Sequence, residues 1–386
     1  MIRPSLSLIP SAYKTSKIYS AIPSNGDGDF EFLRSTIGSR VNEDGFIENV
    51  GINTPRLDFS NKCPYLLLEP QRTNLFLNSE PISVEQADLG IQYTNSFFYA
   101  LGNVNSVYFG DNSVVRFRYG ANAIIGNTYI FSCFVRMDDG GVPNPNGNVF
   151  LGDFSITIGN AVVTNDNDYK VEYLGNEVYR VSAKRIANET SNNNGIVKWS
   201  TQSNRGFTCT GFQLEQGESI TSYIKTNGAS VTRGSDICRN AGNSDIFKSN
   251  EGVLFLEASA LLDTTTDKVI SLSDGTSSNS VQIRFLAAVN ELIVYVLSGL
   301  AFSFATSLVL QDASKFNKIA IKWKENDFAL WVNGVEVFTD NSGEVPVGLN
   351  VLSFNIQGAV PFQGVVKSLR YYNKALTDLQ IEELTR

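Results

Sequence analysis

Apolar and polar positions alternate along this chain with the two-residue period of β-structure. Tyr129, Phe131, Cys133 and Val135 share one parity and Ile130 and Phe134 the other, which predicts a strand buried on both faces. VEYLGNEVYRVSA, residues 171–183, predicts a compact hairpin turning at Gly175-Asn176, between Leu174 and Glu177. FALWVNGVEVF, residues 328–338, predicts a second hairpin, because Asn-Gly suits a two-residue turn whose central positions both need positive φ. Its register places Val332 opposite Val335, Leu330 opposite Val337, and Trp331 opposite Glu336 on the other face. Ile319, Ile321 and Trp323 alternate with Lys318, Lys322 and Lys324, the pattern of a half-exposed strand, and Trp323 shares the apolar parity of the core.

Leu292 to Leu310 carries no charge and is long enough to span a membrane. Ser298-Gly299 divides it, and Phe302, Phe304 and Thr306 alternate with small or polar residues, so two buried strands are expected instead of a membrane insertion. The chain closes with one short helix. Thr377 is its N-cap, Gln380 completes a capping box, and Leu376 and Ile381 fit a hydrophobic staple.

The expected fold class is all-β: two β-sandwich (jelly-roll) domains preceded by an extended N-terminal arm. The arm covers residues 1–75, rich in Pro, Gly, Asn and Asp. The first sandwich covers 76–233, a polar linker 234–250, and the second sandwich 251–386. A length of 386 residues suits two or three domains. Abundant Phe (25) and Tyr (15) beside scarce Met (2) favour strands over helices.

Charge and chemistry narrow the function. A formal net charge of −8 argues against a nucleic-acid partner. The sequence has no histidine, which excludes Ser-His-Asp and Cys-His catalysis. Cys63, Cys133, Cys209 and Cys238 form no CxxC motif and read as free thiols, suited to assembly in a reducing cytoplasm. The first residues, MIRPSLSLIPSAYKTSK, carry prolines and lysines where a secretory leader needs an apolar run. The glycines of Ser24 to Asp29 lack the spacing of a phosphate loop and mark a turn.

Longer stretches carry a resemblance. RVNEDGFIENVGINTPRLDF followed by CPYLLLEPQRTNL resembles a segment recurring in tailed-phage virion and tail-associated proteins. GFQLEQGESITSYIKTNGASVTR resembles the end of the carbohydrate-binding-like jelly roll that follows it in those proteins. EGVLFLEA, FALWVNGVEV and GVVKSLRYYNKALTDLQIEEL are similar to concanavalin A-like and laminin-G-like sandwiches. The resemblance implies a non-enzymatic virion structural protein (a tail fibre, head fibre or decoration component) assembled in the host cytoplasm, with other virion proteins as partners. A homo-oligomer is expected, a trimer first, since linked weak contacts gain avidity. A lectin-like module recognising host surface glycans is the alternative, and a polysaccharide depolymerase the second.

Candidate residues follow from these readings. Sugar stacking needs an exposed aromatic beside polar groups, which selects Trp331 with Glu336, and Trp199 in GIVKWSTQ. Glycoside hydrolysis needs two carboxylates flanking one bond. Glu215 and Glu218 straddle a turn, and Glu382 and Glu383 sit on the terminal helix, so no catalytic residue is assigned. No cofactor is expected except calcium, for which Asp263, Asp267 and Asp274 lie near loops, as the laminin-G resemblance suggests.

Overall fold

The computed structural model describes residues 3–60, 62–82, 90–110, 114–261, 266–287 and 289–386. The protein is all-β, and among the described residues the one α-helix is Asp378–Thr385. The chain forms two compact units. The first combines Met1–Ile37, Val50–Pro70 and Ser235–Arg386, and the second combines Gly38–Asn49 with Gln71–Gly234.

In the first unit, an eight-stranded sheet runs in the order Val335–Asp340, Phe328–Val332, Asn317–Lys324, Glu251–Ala260, Gly364–Tyr372, Tyr65–Leu68, Arg56–Asp58. Leu6–Leu8 also pairs with Gly364–Tyr372, Leu6 facing Tyr371. A five-stranded sheet runs Ala301–Val309, Glu291–Ser298, Ser280–Phe285, Lys268–Ser273, Val351–Ser353. One apolar core holds residues of both sheets, among them Leu254, Leu256, Ile319, Ile321 and Trp323 from the larger and Ile270, Ile283, Leu292, Val294 and Phe304 from the smaller. The uncharged stretch is two antiparallel strands, Glu291–Ser298 and Ala301–Val309. Gly299 and Leu300 turn between them with φ of 59° and 73°. Among the described residues no helix is long and apolar enough to cross a membrane.

The N-terminal residues differ from an extended arm. Leu6, Leu8, Ile18, Phe30 and Phe32 are fully buried in this core. Pro, Gly, Asn and Asp separate strands of two to four residues, too short to give a periodic signal. The segment read as a linker likewise contains the strand Ile237–Arg239, which pairs with Phe30–Leu33. Some of these short strands pair with near neighbours, as Tyr13–Lys14 does with Lys17–Ile18, while Leu6–Leu8 and Ile237–Arg239 have partners remote in sequence.

The second unit packs a six-stranded sheet (Gln92–Phe98, Gly102–Phe109, Phe207–Gln216, Thr128–Met137, Val178–Ile186, Tyr169–Gly175) against a four-stranded one (Val115–Arg118, Gly195–Lys198, Ser155–Ile158, Ala161–Val162). Thr128–Met137 is central and buried on both faces. One face joins the main core through Phe131, Cys133 and Val135. On the other, Phe134 joins a smaller cluster with Phe98, Val104, Val178 and Tyr223. The hairpin after Tyr169–Gly175 turns one residue later than expected, at Asn176 and Glu177, whose φ values are 44° and 63°. Gly175 occupies a bulge at φ 114°, and a Cβ there would lie 2.6 Å from the Tyr99 ring, so glycine serves a close approach as well as a bend.

Each unit has a buried polar network in its interior. Arg56 is fully buried and pairs with Glu69 at 2.6 Å and with Asp236. Asp236 also accepts from Arg34 at 3.0 Å and from the Glu69 amide at 2.8 Å. Arg34 in turn donates to the carbonyls of Thr36, Val50, Gly51 and Thr54. Burial by itself would lower the Arg56 pKa, but Asp236 and Glu69 outweigh it and hold the guanidinium charged. In the second unit Asn74 is fully buried. Its Nδ2 donates to the carbonyls of Phe212 (3.1 Å) and Ile224 (2.8 Å), and its Oδ1 accepts from the amides of Phe76 (2.9 Å) and Leu214 (3.0 Å).

Candidate carbohydrate-binding site

Trp331 lies on the strand Phe328–Val332 and faces Glu336, as the Asn333-Gly334 turn predicts. A bulge between Leu330 and Trp331 then shifts the register, so Leu330 faces Phe338 and not Val337. The ring itself is only 6% exposed. It packs with Val253, Phe255, Ala320, Ala329 and Tyr372 against Leu376 and Ile381 of the terminal helix region. The helix starts at the expected cap, with Gln380 Oε1 accepting from the Thr377 amide at 3.0 Å. Lys322, read as exposed, is instead buried there and pairs with Asp327 at 2.7 Å and Asp378 at 3.5 Å. A ring beneath a helix offers no face for a sugar, which removes the physical basis for Trp331 as a stacking platform. Glu336 is exposed and accepts from Thr339 Oγ1 at 2.6 Å. Trp323 is fully buried and donates its indole N–H to the Ser249 carbonyl at 3.2 Å.

Trp199 has a different setting. It is half-buried and follows the strand Gly195–Lys198. Its amide donates to Gln202 Oε1 at 3.0 Å, and Gln202 Nε2 donates to Leu151 O at 3.0 Å and Ser155 Oγ at 3.1 Å, which fixes the turn carrying the indole. The Arg116 guanidinium carbon lies 5.1 Å from the indole centroid, a cation–π contact. Arg116 comes from the neighbouring strand, where it faces Val197. Val115 and Phe117 point into the core, so Arg116 and Arg118 project from the opposite face of the four-stranded sheet. Arg118 donates to Asn160 Oδ1 at 3.3 Å, which also accepts from Asn193 Nδ2 at 3.0 Å. Indole, two guanidinium groups and side-chain amides therefore gather at one sheet face. This provides a stacking ring, hydrogen-bond donors and positive charge.

The candidate acids have other tasks. Glu215 is buried and accepts from the Thr221 amide at 3.2 Å and from the Thr221 hydroxyl. Arg233 donates to the same hydroxyl at 3.2 Å and to Ser222 Oγ at 3.0 Å, which ties the Gly211–Arg233 segment together. Glu218 is 3.4 Å from Lys184. Glu382 pairs with Arg386 within the terminal helix region, and Glu383 is exposed.

Of the calcium candidates, Asp263 lies outside the described residues. Asp267 accepts from the Ala287 amide at 3.2 Å. Asp274 accepts from the Thr276 amide at 2.8 Å, Thr276 Oγ1 at 2.6 Å and Asn279 Nδ2 at 2.9 Å. Partial burial pushes its pKa up, but these bonds outweigh that and hold it below the usual range. Among the described residues no three His, Cys, Asp or Glu side chains gather as a metal site would require. The four cysteines are free. Cys63 is exposed, while burial pushes the thiol pKa of Cys133, Cys209 and Cys238 upward.

Sequence reading selected Trp199 without Arg116, Arg118 or Gln202. The alternation Val115-Arg116-Phe117-Arg118 carries the signal for two outward arginines. The pairing that sets them beside Trp199 is visible only once the strands are paired.

Residues 259–382 match the Laminin_G_3 family model, described as the concanavalin A-like lectin/glucanases superfamily. None of the curated proteins compared with the chain matches it. Among solved structures, Ruminococcus gnavus IT-sialidase CBM40 bound to alpha2,3 sialyllactose is similar at 16% identity and a TM-score of 0.32, over 38% of this chain and 94% of that one. The native heptameric SAP-like pentraxin from Limulus polyphemus is similar at 13% identity and a TM-score of 0.30, over 36% of this chain and 70% of that one. The NanB sialidase from Streptococcus pneumoniae is similar at 15% identity and a TM-score of 0.29, over 37% of this chain and 25% of that one. Residues 259–382 are thus similar to the concanavalin A-like lectin/glucanases superfamily.

Proposed function

We propose that this protein is a non-catalytic glycan-binding protein whose contact face surrounds Trp199. The observation that carries the reading is the half-buried Trp199 beside Arg116, on the face of a four-stranded sheet opposite the main core. Support comes from the lectin/glucanase-type match of the other unit and from Glu215, whose carboxylate is engaged inside the fold. A glycan array tests it. The wild-type chain is expected to give saturable hits, and Trp199→Ala to weaken them at least ~10-fold, equivalent to about 1.4 kcal/mol. Hits unaffected by Trp199→Ala would move the site elsewhere, and a blank array would remove the reading.

A second reading concerns where such a protein works. The segments Arg40–Phe59, Cys63–Leu75 and Gly211–Arg233 resemble phage particle proteins, and here they supply the buried partners Arg56, Glu69, Asn74 and Glu215. On the strength of that resemblance we propose a virion component presenting its sandwiches at the particle surface. Mass spectrometry of purified particles is expected to detect the chain, and its absence from intact virions would reject this role.

A further inference from the structure

We propose that the saccharide recognised beside Trp199 is acidic, its carboxylate held by Arg116. This rests on the glycan-binding reading and adds the ligand's charge. Arg116 makes one contact among the described residues, the cation–π contact with Trp199 at 5.1 Å. Among the described residues it has no carboxylate within ion-pair reach, whereas Arg34, Arg40, Arg56, Arg205, Arg239 and Arg386 each have one. Within that same set, Arg136, Arg185 and Arg370 also lack an acid but donate to a carbonyl or hydroxyl of the fold, whereas Arg116 has only the indole. Its Nε is buried without a partner. Among the described residues its terminal nitrogens donate no hydrogen bond, which leaves them to an incoming acceptor.

The position suits a carboxylate in three ways. A guanidinium presents a planar fork that matches a carboxylate with two parallel hydrogen bonds. Stacking on the indole holds that fork in place before a ligand arrives, and a guanidinium is more weakly hydrated than an ammonium. Arg118 projects from the same face two residues along, about 7 Å away at the backbone, which extends the positive strip. A hexuronate carries its carboxylate on the sugar ring. A ring resting against the exposed part of Trp199 would therefore bring that carboxylate to the adjacent guanidinium. The chain's net charge of −8 repels an anionic polymer in general, so binding of one requires a local cation of this kind.

Tryptophan emission provides the readout, because Trp323 and Trp331 are buried and Trp199 is the half-exposed indole. The full chain is titrated with tetragalacturonate and tetraglucuronate, and in parallel with their methyl esters, which keep the rings and remove the charge. A saturable change with at least one acid is expected. Its affinity should fall at least ~10-fold for the matching ester and for Arg116→Gln, and should weaken as salt rises. Arg116→Gln should melt close to the wild type, since among the described residues the side chain makes no ion pair or hydrogen bond that the substitution would break. Equal binding of acid and ester would overturn the proposal while leaving glycan binding intact. Acid binding that Arg116→Gln leaves unchanged would also overturn it, as would silence with both acids. Silence together with a blank glycan array would remove the underlying reading as well.

Discussion

Arg56→Ala is expected to destabilise the first unit by about 3–5 kcal/mol, the range for breaking a buried ion pair from one side. The substitution leaves Asp236 and Glu69 facing each other's charge in the interior. Asp236 is then held by Arg34 and the Glu69 amide, but Glu69 loses its 2.6 Å guanidinium partner. Arg56→Met fills part of the volume and should recover little, because the lost ion pairs to Asp236 and Glu69, not the cavity, dominate the loss. Combining Arg56→Met with Glu69→Met removes one carboxylate with the arginine and should be less damaging than Arg56→Met alone, the signature of coupled sites. Denaturant unfolding followed by tryptophan emission reads this unit, since Trp323 and Trp331 both report from its interior. An unchanged midpoint for Arg56→Ala would mean that the network contributes little to the fold.

The second large effect is expected at Asn74. Asn74→Ala deletes four hydrogen bonds, two donated by Nδ2 and two accepted by Oδ1, whose partners are all backbone groups in the interior. Each buried group left unsatisfied costs roughly 1–3 kcal/mol, and partial relaxation brings the total to about 3–5 kcal/mol. Asn74→Asp keeps the acceptors, loses both donors and buries a charge, so it should be no better. Asn95 is an exposed control. Its Nδ2 bonds Asn105 at 3.2 Å, and Asn95→Ala should stay within about 0.5 kcal/mol. Hydrogen exchange at the Phe76 and Leu214 amides provides a local reading, and both should lose protection in Asn74→Ala. Retained protection with an unchanged melting temperature would contradict this account.

Both predictions concern motif residues that carry no chemistry of their own, which bears on what the sequence reveals. Local rules worked where both partners are close in the chain. Asn333-Gly334, the split of residues 292–310 at Ser298-Gly299, and the Thr377 cap each depend on contacts within a few residues. They failed where a partner is remote. Arg56 and Asp236 are separated by 180 positions, and nothing near either one marks the other. Trp331 shows the same limit. Its parity opposite the core was read correctly, but parity cannot tell solvent from a helix laid across the sheet. Arg116 and Trp199 are likewise joined by strand pairing, so a candidate indole was legible while its cation was not.

The strand Leu6–Leu8 has a consequence for synthesis. Its partner residues, Leu369–Tyr371, leave the ribosome about 360 residues later. At about 5–20 residues per second, the two are made on the order of 20–70 s apart. Throughout that interval an apolar N-terminal segment has no edge to join, and the first unit cannot close. Most of the second unit, Gln71–Gly234, is complete well before then. The chain is thus built so that an inserted module can fold while its host waits, and a nascent chain stalled before Tyr371 should carry the second unit folded and the first open.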